Sequence, residues 1–385
     1  MCKPKIRFKG CQGEWVREKL GEISEKTQNI NWKEANRTYK YIDLTSVDLQ
    51  FHNIGQTITI EADNAPSRAQ QIVLKGDIIF ATTRPTQMRV CRIDEEYDSQ
   101  ICSTGYCVIR PKGGLILSEW LIQVLSTDSF KNYLELNQTT GNYPSISNKL
   151  LLEFAVPIPT LPEQRQIAAY FRSLDGILSG CEARLSSLRR LKEGALQAFF
   201  PQQGETQPKI RFKGCQGEWE RKKLGEVCEM RRGTAITKKD VVKGDIPVVA
   251  GGQAPAYYCK NANRTGDIIT VAGSGAYAGF VQYWDSPIFV SDAFSVKGSS
   301  ELLTKFVYYI LSNLQSKIYQ TKKGSGVPHV HISAIENFLI PIPSLPEQHL
   351  IANFFRTLDR RIELERQRLE KLKQLKAACL EKMFV

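Results

Sequence analysis

The chain of 385 residues has little histidine and no uninterrupted apolar run of about 18 residues. Without such a run, the sequence predicts no membrane-spanning helix. The first residues lack the apolar core of a signal peptide, so we expect a cytoplasmic protein. The ten cysteines include no C-x-x-C pair, and in that compartment we expect reduced thiols rather than a disulfide framework.

Motifs for catalysis and for metal or cofactor binding are also missing. Only four histidines occur, and His329 and His331 have no nearby acidic or cysteine residue to complete a zinc site. The chain has no Walker P-loop, no Asn-Pro-Pro-Tyr or Asp-Pro-Pro-Tyr segment for amino methylation, and no Asp…Glu-x-Lys nuclease cluster. Gly251-Gly252 and Gly273-Ser-Gly275 do not form G-x-G-x-x-G. The sequence therefore predicts a metal-free, non-catalytic chain that binds no cofactor.

Negative charge is in deficit. Lysine and arginine total 52 against 40 aspartates and glutamates, which gives a formal net charge of +12. A surplus of this size favours a polyanion partner, which positively charged side chains contact through phosphates. A basic protein without such a partner is the alternative that charge alone leaves open.

Two phrases of the sequence occur twice. Pro4-Lys-Ile-Arg-Phe-Lys-Gly-Cys-Gln-Gly-Glu-Trp15 returns unchanged at residues 208–219, and Pro157-Ile-Pro-Thr-Leu-Pro-Glu-Gln164 returns at residues 341–348 with one Thr replaced by Ser. The interval between the phrases is 20 residues longer in the first half, and its sequence differs strongly between the halves. Repeated edges with unlike interiors indicate one scaffold that carries two different recognition surfaces.

The sequence between the repeated phrases of each half predicts short strands followed by a helical segment. Residues 40–44, 56–60 and 72–74 are rich in β-branched or aromatic side chains, and Gly76-Asp77 and Gly266-Asp267 each precede a strand-like run. Residues 118–136 and 301–319 have helical spacing. The predicted fold class is therefore α+β.

The most regular segments follow Pro162 and Pro346, where proline suits the first turn of a helix. Apolar residues then recur every three or four positions, which predicts two helices of roughly 30 residues, about 45 Å long, that pack on each other. A helix packed on its own globular unit is the alternative. The residues of the predicted apolar seam are Leu174, Leu178, Leu185, Leu188, Leu358, Ile362, Leu369 and Leu372.

A short polar linker follows the first helix, and it cannot return the chain along the helix length. We therefore expect an antiparallel helix pair with a globular unit at either end, related by a pseudo-twofold repeat. The helices, at about 45 Å, are longer than one DNA turn of about 34–36 Å. Units held that far apart would read two half-sites separated by an unread gap. The predicted segments are residues 1–159 and 209–343 for the globular units, 160–200 and 344–385 for the helices, and 201–208 for the linker.

The ordered set of motifs, occurring twice, resembles the DNA-specificity subunits of type I restriction–modification systems. The resemblance rests on the Leu-Pro-Glu-Gln phrases at 161–164 and 345–348, the Gly-Asp strands, and the segments 141–147 and 325–331. It covers essentially the whole chain. It implies two target-recognition domains, each of which reads one part of a bipartite duplex DNA target.

The resemblance also implies partners. Two methyltransferase subunits would bind the chain and methylate adenine N6 with S-adenosylmethionine, and motor-nuclease subunits would use ATP and Mg²⁺ to restrict unmodified DNA. The alternatives are a specificity subunit of a related system that is not type I, a coiled-coil scaffold that reads no DNA, and an autonomous modification enzyme. Exchange of recognition domains by recombination between the repeated edges is a further hypothesis.

Candidate DNA-binding residues are those with side chains suited to base edges or phosphates in the loops of the two halves. The loops have different compositions, which predicts an asymmetric target. In the first half the candidates are Thr82, Thr83, Arg84, Gln87, Arg89, Asn142, Tyr143 and Ser145. In the second half they are Arg231, Arg232, Lys238, Ser274, Tyr277, Lys322, Lys323 and His329.

Overall fold

The computed structural model describes residues 3–49, 53–202, 204–237, 242–300, 302–324 and 326–384. The chain divides into two compact units. Unit 1 comprises Met1–Cys181 together with Arg368–Val385, and unit 2 comprises Glu182–Gln367. Each unit mixes sheets with helices, so the predicted α+β class is confirmed.

In unit 1 the strands form a two-stranded, a four-stranded and a five-stranded sheet, with orders β1-β11, β2-β10-β7-β8 and β3-β6-β9-β4-β5. Pairing is antiparallel except between β4 and β9. The strands are β1 (Val16–Lys19), β2 (Ser24–Glu25), β3 (Gln28–Asn29), β4 (Tyr39–Ile42), β5 (Ile58–Ile60), β6 (Ala69–Val73), β7 (Ile78–Ala81), β8 (Val90–Arg92), β9 (Gln100–Ser103), β10 (Tyr106–Pro111) and β11 (Ala155–Ile158).

Unit 2 repeats the two- and four-stranded sheets, with orders β12-β20 and β13-β19-β16-β17, and adds a three-stranded sheet of order β15-β14-β18. The additional sheet of unit 1 thus has two more strands than that of unit 2. The strands are β12 (Glu220–Lys223), β13 (Cys228–Arg232), β14 (Ile246–Val249), β15 (Tyr257–Cys259), β16 (Ile268–Ala272), β17 (Val281–Trp284), β18 (Phe289–Val290), β19 (Ala293–Gly298) and β20 (Leu339–Ile342).

Helices follow the strands in both units. The short ones are α1 (Ser118–Val124), α2 (Asp128–Asn137), α3 (Asn148–Leu152), α5 (Leu224–Val227), α6 (Thr304–Asn313), α7 (Gln315–Gln320) and α8 (Ile332–Ile335). The long helices are α4 (Leu161–Phe199) and α9 (Leu345–Met383), each of 39 residues rather than about 30. Pro162 and Pro346 stand at their second positions, as the sequence predicted.

The two segments with helical spacing, 118–136 and 301–319, are each broken into two helices. In unit 1 the Thr127 hydroxyl caps the second helix by accepting a hydrogen bond from the Phe130 N–H. In unit 2 the Gln315 side chain bonds the loop before β17, accepting from the Val281 N–H at 3.0 Å and donating to the Gly279 carbonyl at 2.7 Å. The Thr127 bond is local and competes with helix continuation, whereas Gln315 bonds a segment distant in sequence. Neither kind of bond is visible in apolar spacing.

The repeated phrases contact each other, which explains why they recur together. The Arg7 guanidinium donates to both carboxylate oxygens of Glu163 at 2.8 and 2.7 Å, and Arg211 does the same to Glu347 at 2.9 and 2.6 Å. Both carboxylates are buried. Hydrogen bonding to the carboxylate raises the pKa of each guanidinium, so both arginines keep their positive charge. The entry segment of each unit is therefore held at the start of a long helix.

The neighbouring glutamine secures the same junction. The Gln164 side chain accepts from the Leu117 N–H at 2.9 Å and donates to the Pro159 carbonyl at 3.0 Å. Gln348 makes the equivalent bonds to Leu303 and Pro343 at 3.0 Å each. Leu117 and Leu303 precede α1 and α6, so one glutamine in each unit connects a long helix to the globular part.

Segments of α4 and α9 lie side by side in each unit. In unit 1 the Lys376 ammonium contacts the Asp175 carboxylate at 2.6 Å, and the Tyr170 hydroxyl lies 3.3 Å from the Cys379 sulfur. Residue numbers on α9 decrease as those on α4 increase, so the two segments run antiparallel. In unit 2 Lys192 contacts Asp359 at 2.6 Å, and these residues are equivalent in the repeat to Lys376 and Asp175. The residues of the predicted apolar seam are all buried or half-buried.

Aromatic side chains dominate both cores. In unit 1 the Phe384 ring stacks on Trp120 at 4.6 Å and lies against Trp15, so the end of α9 completes that core. In unit 2 Phe200, after α4, packs in the same way against Trp219 and Phe306. The cysteines of the described residues are free thiols, and burial raises the pKa of Cys91 and Cys107 to about 12.

Candidate nucleic-acid interface

In unit 1, two loops meet at the end of β7. The Ile146 N–H donates to the Thr82 carbonyl at 2.9 Å, and the Arg84 N–H donates to the Pro144 carbonyl at 2.7 Å. We call these segments, residues 82–84 and 144–146, the loop pair of unit 1. The loop pair places six predicted residues in one region of the surface: Thr82, Thr83, Arg84, Asn142, Tyr143 and Ser145.

Unit 2 builds the same loop pair after β16. The Val330 N–H donates to the Gly273 carbonyl at 3.0 Å, and the Gly275 N–H donates to the Pro328 carbonyl at 3.0 Å. The loop pair of unit 2 is thus residues 273–275 with 328–330. Ser274 and His329 occupy the positions that Thr83 and Ser145 hold in unit 1. One backbone arrangement therefore carries two different sets of side chains.

Arg84 has an unusual backbone conformation. Its φ angle is 51°, in the left-handed region, and the equivalent Gly275 has φ 84°. Glycine enters this region freely, whereas a side chain makes it unfavourable. The Arg84 guanidinium lies 5.0 Å from the centre of the Tyr143 ring, and both side chains are exposed. The chain thus keeps a backbone strain that presents an arginine at the surface.

Gln87 and Arg89, the other predicted residues of unit 1, differ in whether their side chains are exposed or engaged within the protein. Gln87 ends a 3-10 turn (Pro85–Gln87) and is exposed. Arg89 is half-buried, and its guanidinium donates to the Leu44 carbonyl, so it supports the neighbouring loop. Thr139 was missed by sequence reasoning. Its hydroxyl accepts from the Ser145 N–H at 2.9 Å, and nothing in its sequence context distinguishes it from other surface threonines.

In unit 2 the structure groups Ser274, Tyr277, Lys322, Lys323 and His329. Lys323 and His329 exchange backbone hydrogen bonds of 2.9 and 2.8 Å, and the Lys322 ammonium lies 3.3 Å from the Ala276 carbonyl oxygen. The Ser274 hydroxyl donates to Asp292. Tyr277 is 46% exposed and available for contact. Lys238 lies outside the described residues.

Three further residues of unit 2 belong near this region. His331, which the sequence singles out only for a possible metal site, has its ring stacked parallel to that of His329 at 6.1 Å between centroids. Arg231 and Arg232 end β13, where Arg232 pairs with Phe294 of β19. The Arg231 guanidinium is paired with Glu229, and Arg232 is exposed.

Two other properties concern the described part of the chain only. None of its helices is long and apolar enough to cross a membrane. Among these residues, no three or more His, Cys, Asp or Glu side chains form a group able to hold a metal ion.

Two units with one loop-pair backbone and unlike surface side chains define a duplicated α+β recognition protein. The sequence profile described as "Type I restriction modification DNA specificity domain" matches residues 12–187 and again residues 216–374. These matches cover most of the chain, which therefore belongs to this family.

Curated relatives carry the corresponding names. The type I restriction enzyme MjaVIII specificity subunit of Methanocaldococcus jannaschii is 22% identical over 271 residues, which is 62% of this chain and 64% of the relative. The HindI specificity subunit of Haemophilus influenzae is 24% identical over 190 residues, which is 49% of this chain and 41% of the relative. The aligned regions span less than two thirds of either relative's length.

Solved structures share the fold. The type I restriction–modification S subunit from M. genitalium has a TM-score of 0.70 at 17% identity, covering 100% of this chain and 99% of that chain. The HsdS subunit from Thermoanaerobacter tengcongensis has a TM-score of 0.50 at 24% identity and covers 96% of each chain. These similarities establish the fold.

Proposed function

We propose that this chain is the specificity subunit of a type I restriction–modification complex and that each unit reads one half of an asymmetric bipartite DNA target. The observation that carries the proposal is the loop pair, whose backbone hydrogen bonds are the same in both units while its side chains differ. Because the backbone is the same in both units, the reading side chains would take equivalent positions on the two half-sites. Different side chains at that position select different bases.

The side chains of the two loop pairs suit direct reading of the major groove. In unit 1 the exposed Arg84 can donate two hydrogen bonds to guanine, and Gln87 or Asn142 can form the bidentate contact that distinguishes adenine. In unit 2 the short Ser274 and Gly275 let the backbone approach closely, and Lys323 and His329 supply donors. Lys322 and Tyr277 serve as flanking contacts. Phosphate contacts would position the chain without reading sequence.

The paired segments of α4 and α9 set the unread gap between the half-sites. The equivalent ion pairs Asp175–Lys376 and Lys192–Asp359 support this role, because they hold the same register of the two helices in both units. A fixed register sets how far the two helices overlap, and helix length converts to distance at 1.5 Å per residue.

Two methyltransferase subunits bind the chain. Support comes from the identical repeated segments, which expose the same residues twice: Lys5, Ile6 and Lys9 in unit 1, and Lys209, Ile210 and Lys213 in unit 2. A surface presented twice at equivalent positions suits a partner that binds in two copies. The partners transfer a methyl group from S-adenosylmethionine to adenine N6. With motor-nuclease subunits, which use ATP and Mg²⁺, the assembly cuts unmodified DNA, and this chain contributes recognition without catalysis.

Mapping methylated adenines across the genome, with and without the gene for this chain, tests the proposal. We expect one asymmetric bipartite motif to lose methylation when the gene is removed and to regain it on complementation. A methylation map that does not change, or loss of a single continuous motif, would contradict the proposal.

The purified chain, incubated alone with DNA and labelled methyl donor, should transfer no methyl group; transfer would indicate an autonomous enzyme.

A further inference from the structure

Unit 2 has a polar cavity of about 480 Å³ on the face of its four-stranded sheet. Glu229 and Arg231 of β13 form one wall, Ser295 and Lys297 of β19 form the floor, and the segment before β16 forms the other wall. We call this cavity, lined by Glu229, Arg231, Asn263, Arg264, Ser295 and Lys297, the basic trough.

The trough holds an excess of positive charge in a partly fixed arrangement. The Arg264 guanidinium donates to the Ser295 hydroxyl and to the carbonyls of Asn263 and Arg232, each at 2.8 Å, so its position is set before any ligand arrives. Arg231 and Lys297 add two exposed cations, and the Arg231 guanidinium is paired with Glu229, the acid among the lining residues. The lining therefore has three positive charges and one negative charge.

The trough begins beside the loop pair of unit 2. Two neighbouring residues of β19 link the trough to the loop pair. Phe294 pairs with Arg232 of β13, and Ala293 pairs with Ala272 of β16, which directly precedes the loop pair. Three residues back along β13, Glu229 is opposite Lys297. At about 3.3 Å per residue the trough extends about 10 Å from the loop edge. Consecutive phosphates of one DNA strand rise 3.4 Å along the helix axis and also turn around it, so a short run of them fits this length.

In unit 1 the residue equivalent to the exposed Lys297 is Arg110, whose side chain is largely buried and paired. There β10 pairs with β2 so that Arg110 is opposite Glu25. The Arg110 guanidinium is bound at 2.9 and 2.8 Å to both oxygens of Asp77, which is buried. The equivalent Asp267 of unit 2 instead accepts a hydrogen bond from the Tyr283 hydroxyl. The two units therefore differ in charge on this face as well as in their loops.

We propose that the basic trough binds backbone phosphates of duplex DNA immediately beside the second half-site. The inference rests on the proposed function of the chain and adds an anchoring surface to it. The loop pair of unit 2 presents Ser274 and Gly275 where unit 1 presents Thr83 and Arg84. The trough supplies sequence-independent affinity that these short side chains lack. It positions the second half-site without selecting its bases.

The test measures binding of the full chain to a duplex of about 30 bp, roughly three helical turns, between about 50 and about 200 mM salt. Lys297→Ala should reduce the slope of log affinity against log salt by about one and weaken binding about four-fold at the higher salt. Lys297→Glu should weaken binding further. Glu229→Gln removes the one acid of the lining and should tighten binding, which a folding defect would not do.

Lys317→Ala is the matched control, since it removes one exposed lysine of unit 2 from α7, outside the trough. Its slope should stay closer to that of the unchanged chain than the slope of Lys297→Ala. A set of variant duplexes should show that Lys297→Ala weakens every sequence equally. If the unchanged chain binds DNA but Lys297→Ala, Lys297→Glu and Glu229→Gln all leave slope and affinity unaltered, the trough is not a DNA contact. If the unchanged chain binds no DNA, the proposed function itself is overturned, and this inference with it.

Discussion

At the scale of single residues, the comparison of Arg84 with Gly275 is the most informative. Both occupy the left-handed region at the same point of the loop pair. A non-glycine residue held there costs on the order of 1–3 kcal/mol and persists where its surroundings hold it in place. The Arg84 N–H bond to Pro144 provides that restraint. We infer that the side chain is retained for contact rather than for stability.

Arg84→Ala should relax the choice of one base pair by about 1–3 kcal/mol if the guanidinium is bidentate to guanine. Methylation rates on a panel of single-base variants of the target measure this effect. Arg84→Gly should cause the same relaxation while leaving the free energy of unfolding within about 1 kcal/mol of the starting chain, because the backbone strain is relieved.

Arg89→Ala is the control on the same loop. Its guanidinium supports the Leu44 carbonyl, so we expect lower stability in thermal unfolding and an unchanged base preference. If Arg84→Ala slows methylation equally on every variant site, Arg84 contacts a phosphate instead of a base.

At the scale of elements, the junction between entry segment and long helix accounts for both repeated phrases. Each phrase contributes one half of a buried ion pair, Arg7–Glu163 in unit 1 and Arg211–Glu347 in unit 2. Removing one partner of a buried pair leaves an uncompensated charge, which is destabilising. Neither residue can change alone without that cost.

Arg7→Met should lower the free energy of unfolding by about 3 kcal/mol, because the buried Glu163 carboxylate loses its two strongest donors. Arg211→Met should have a similar effect through Glu347. The double variant with Arg7→Met and Glu163→Met should be more stable than Arg7→Met alone, since no buried charge remains. Chemical denaturation of the starting chain, Arg7→Met, Glu163→Met and the double variant measures the coupling, and strictly additive effects would show that the pair is not coupled.

At the scale of the whole molecule, the α4 and α9 segments connect protein length to the proposed DNA spacing. Seven residues inserted after Cys181 and seven after Gln367 keep the helical face and lengthen each helix by about 10 Å. We expect the gap in the methylated motif to grow by about three base pairs, at 3.4 Å each, while both half-sites keep their bases. Genome-wide methylation mapping reads the gap directly.

An insertion in α4 alone is the control for this experiment. It should disrupt the register held by Asp175–Lys376 and Lys192–Asp359, and methylation should fall without any new motif. A gap of unchanged length in the double insertion would mean that the helices do not determine the spacing.

Much of the fold could be predicted because it depends on periodic patterns. The strands after Gly76-Asp77 and Gly266-Asp267 and the starts of both long helices follow from alternation, turn residues and proline placement. The breaks within 118–136 and 301–319 could not, because Thr127 and Gln315 act through specific hydrogen bonds. Their apolar spacing is the same as that of an unbroken helix.

The candidate site was predictable in residue type but not in arrangement. Arg84, Gln87 and Asn142 were identified by their donors, and the structure adds that residues 82–84 and 144–146 are joined by backbone bonds. Arg264 and Lys297, which line the trough proposed above, are not among the predicted residues because they are distant in sequence. The alternation of Ser295 and Lys297 along β19 is the pattern that could have indicated a shared polar face.

By itself the sequence determined the duplication, the α+β class and the two long helices, because repeats, β-branched alternation and heptad spacing are local properties of the chain. Only the tertiary structure decided that Arg7 meets Glu163, that Phe384 at the end of the second long helix completes the core of unit 1, and that Arg84 and Gly275 occupy one position. These relations depend on packing between residues far apart in sequence, and no local pattern records which distant partner a side chain meets.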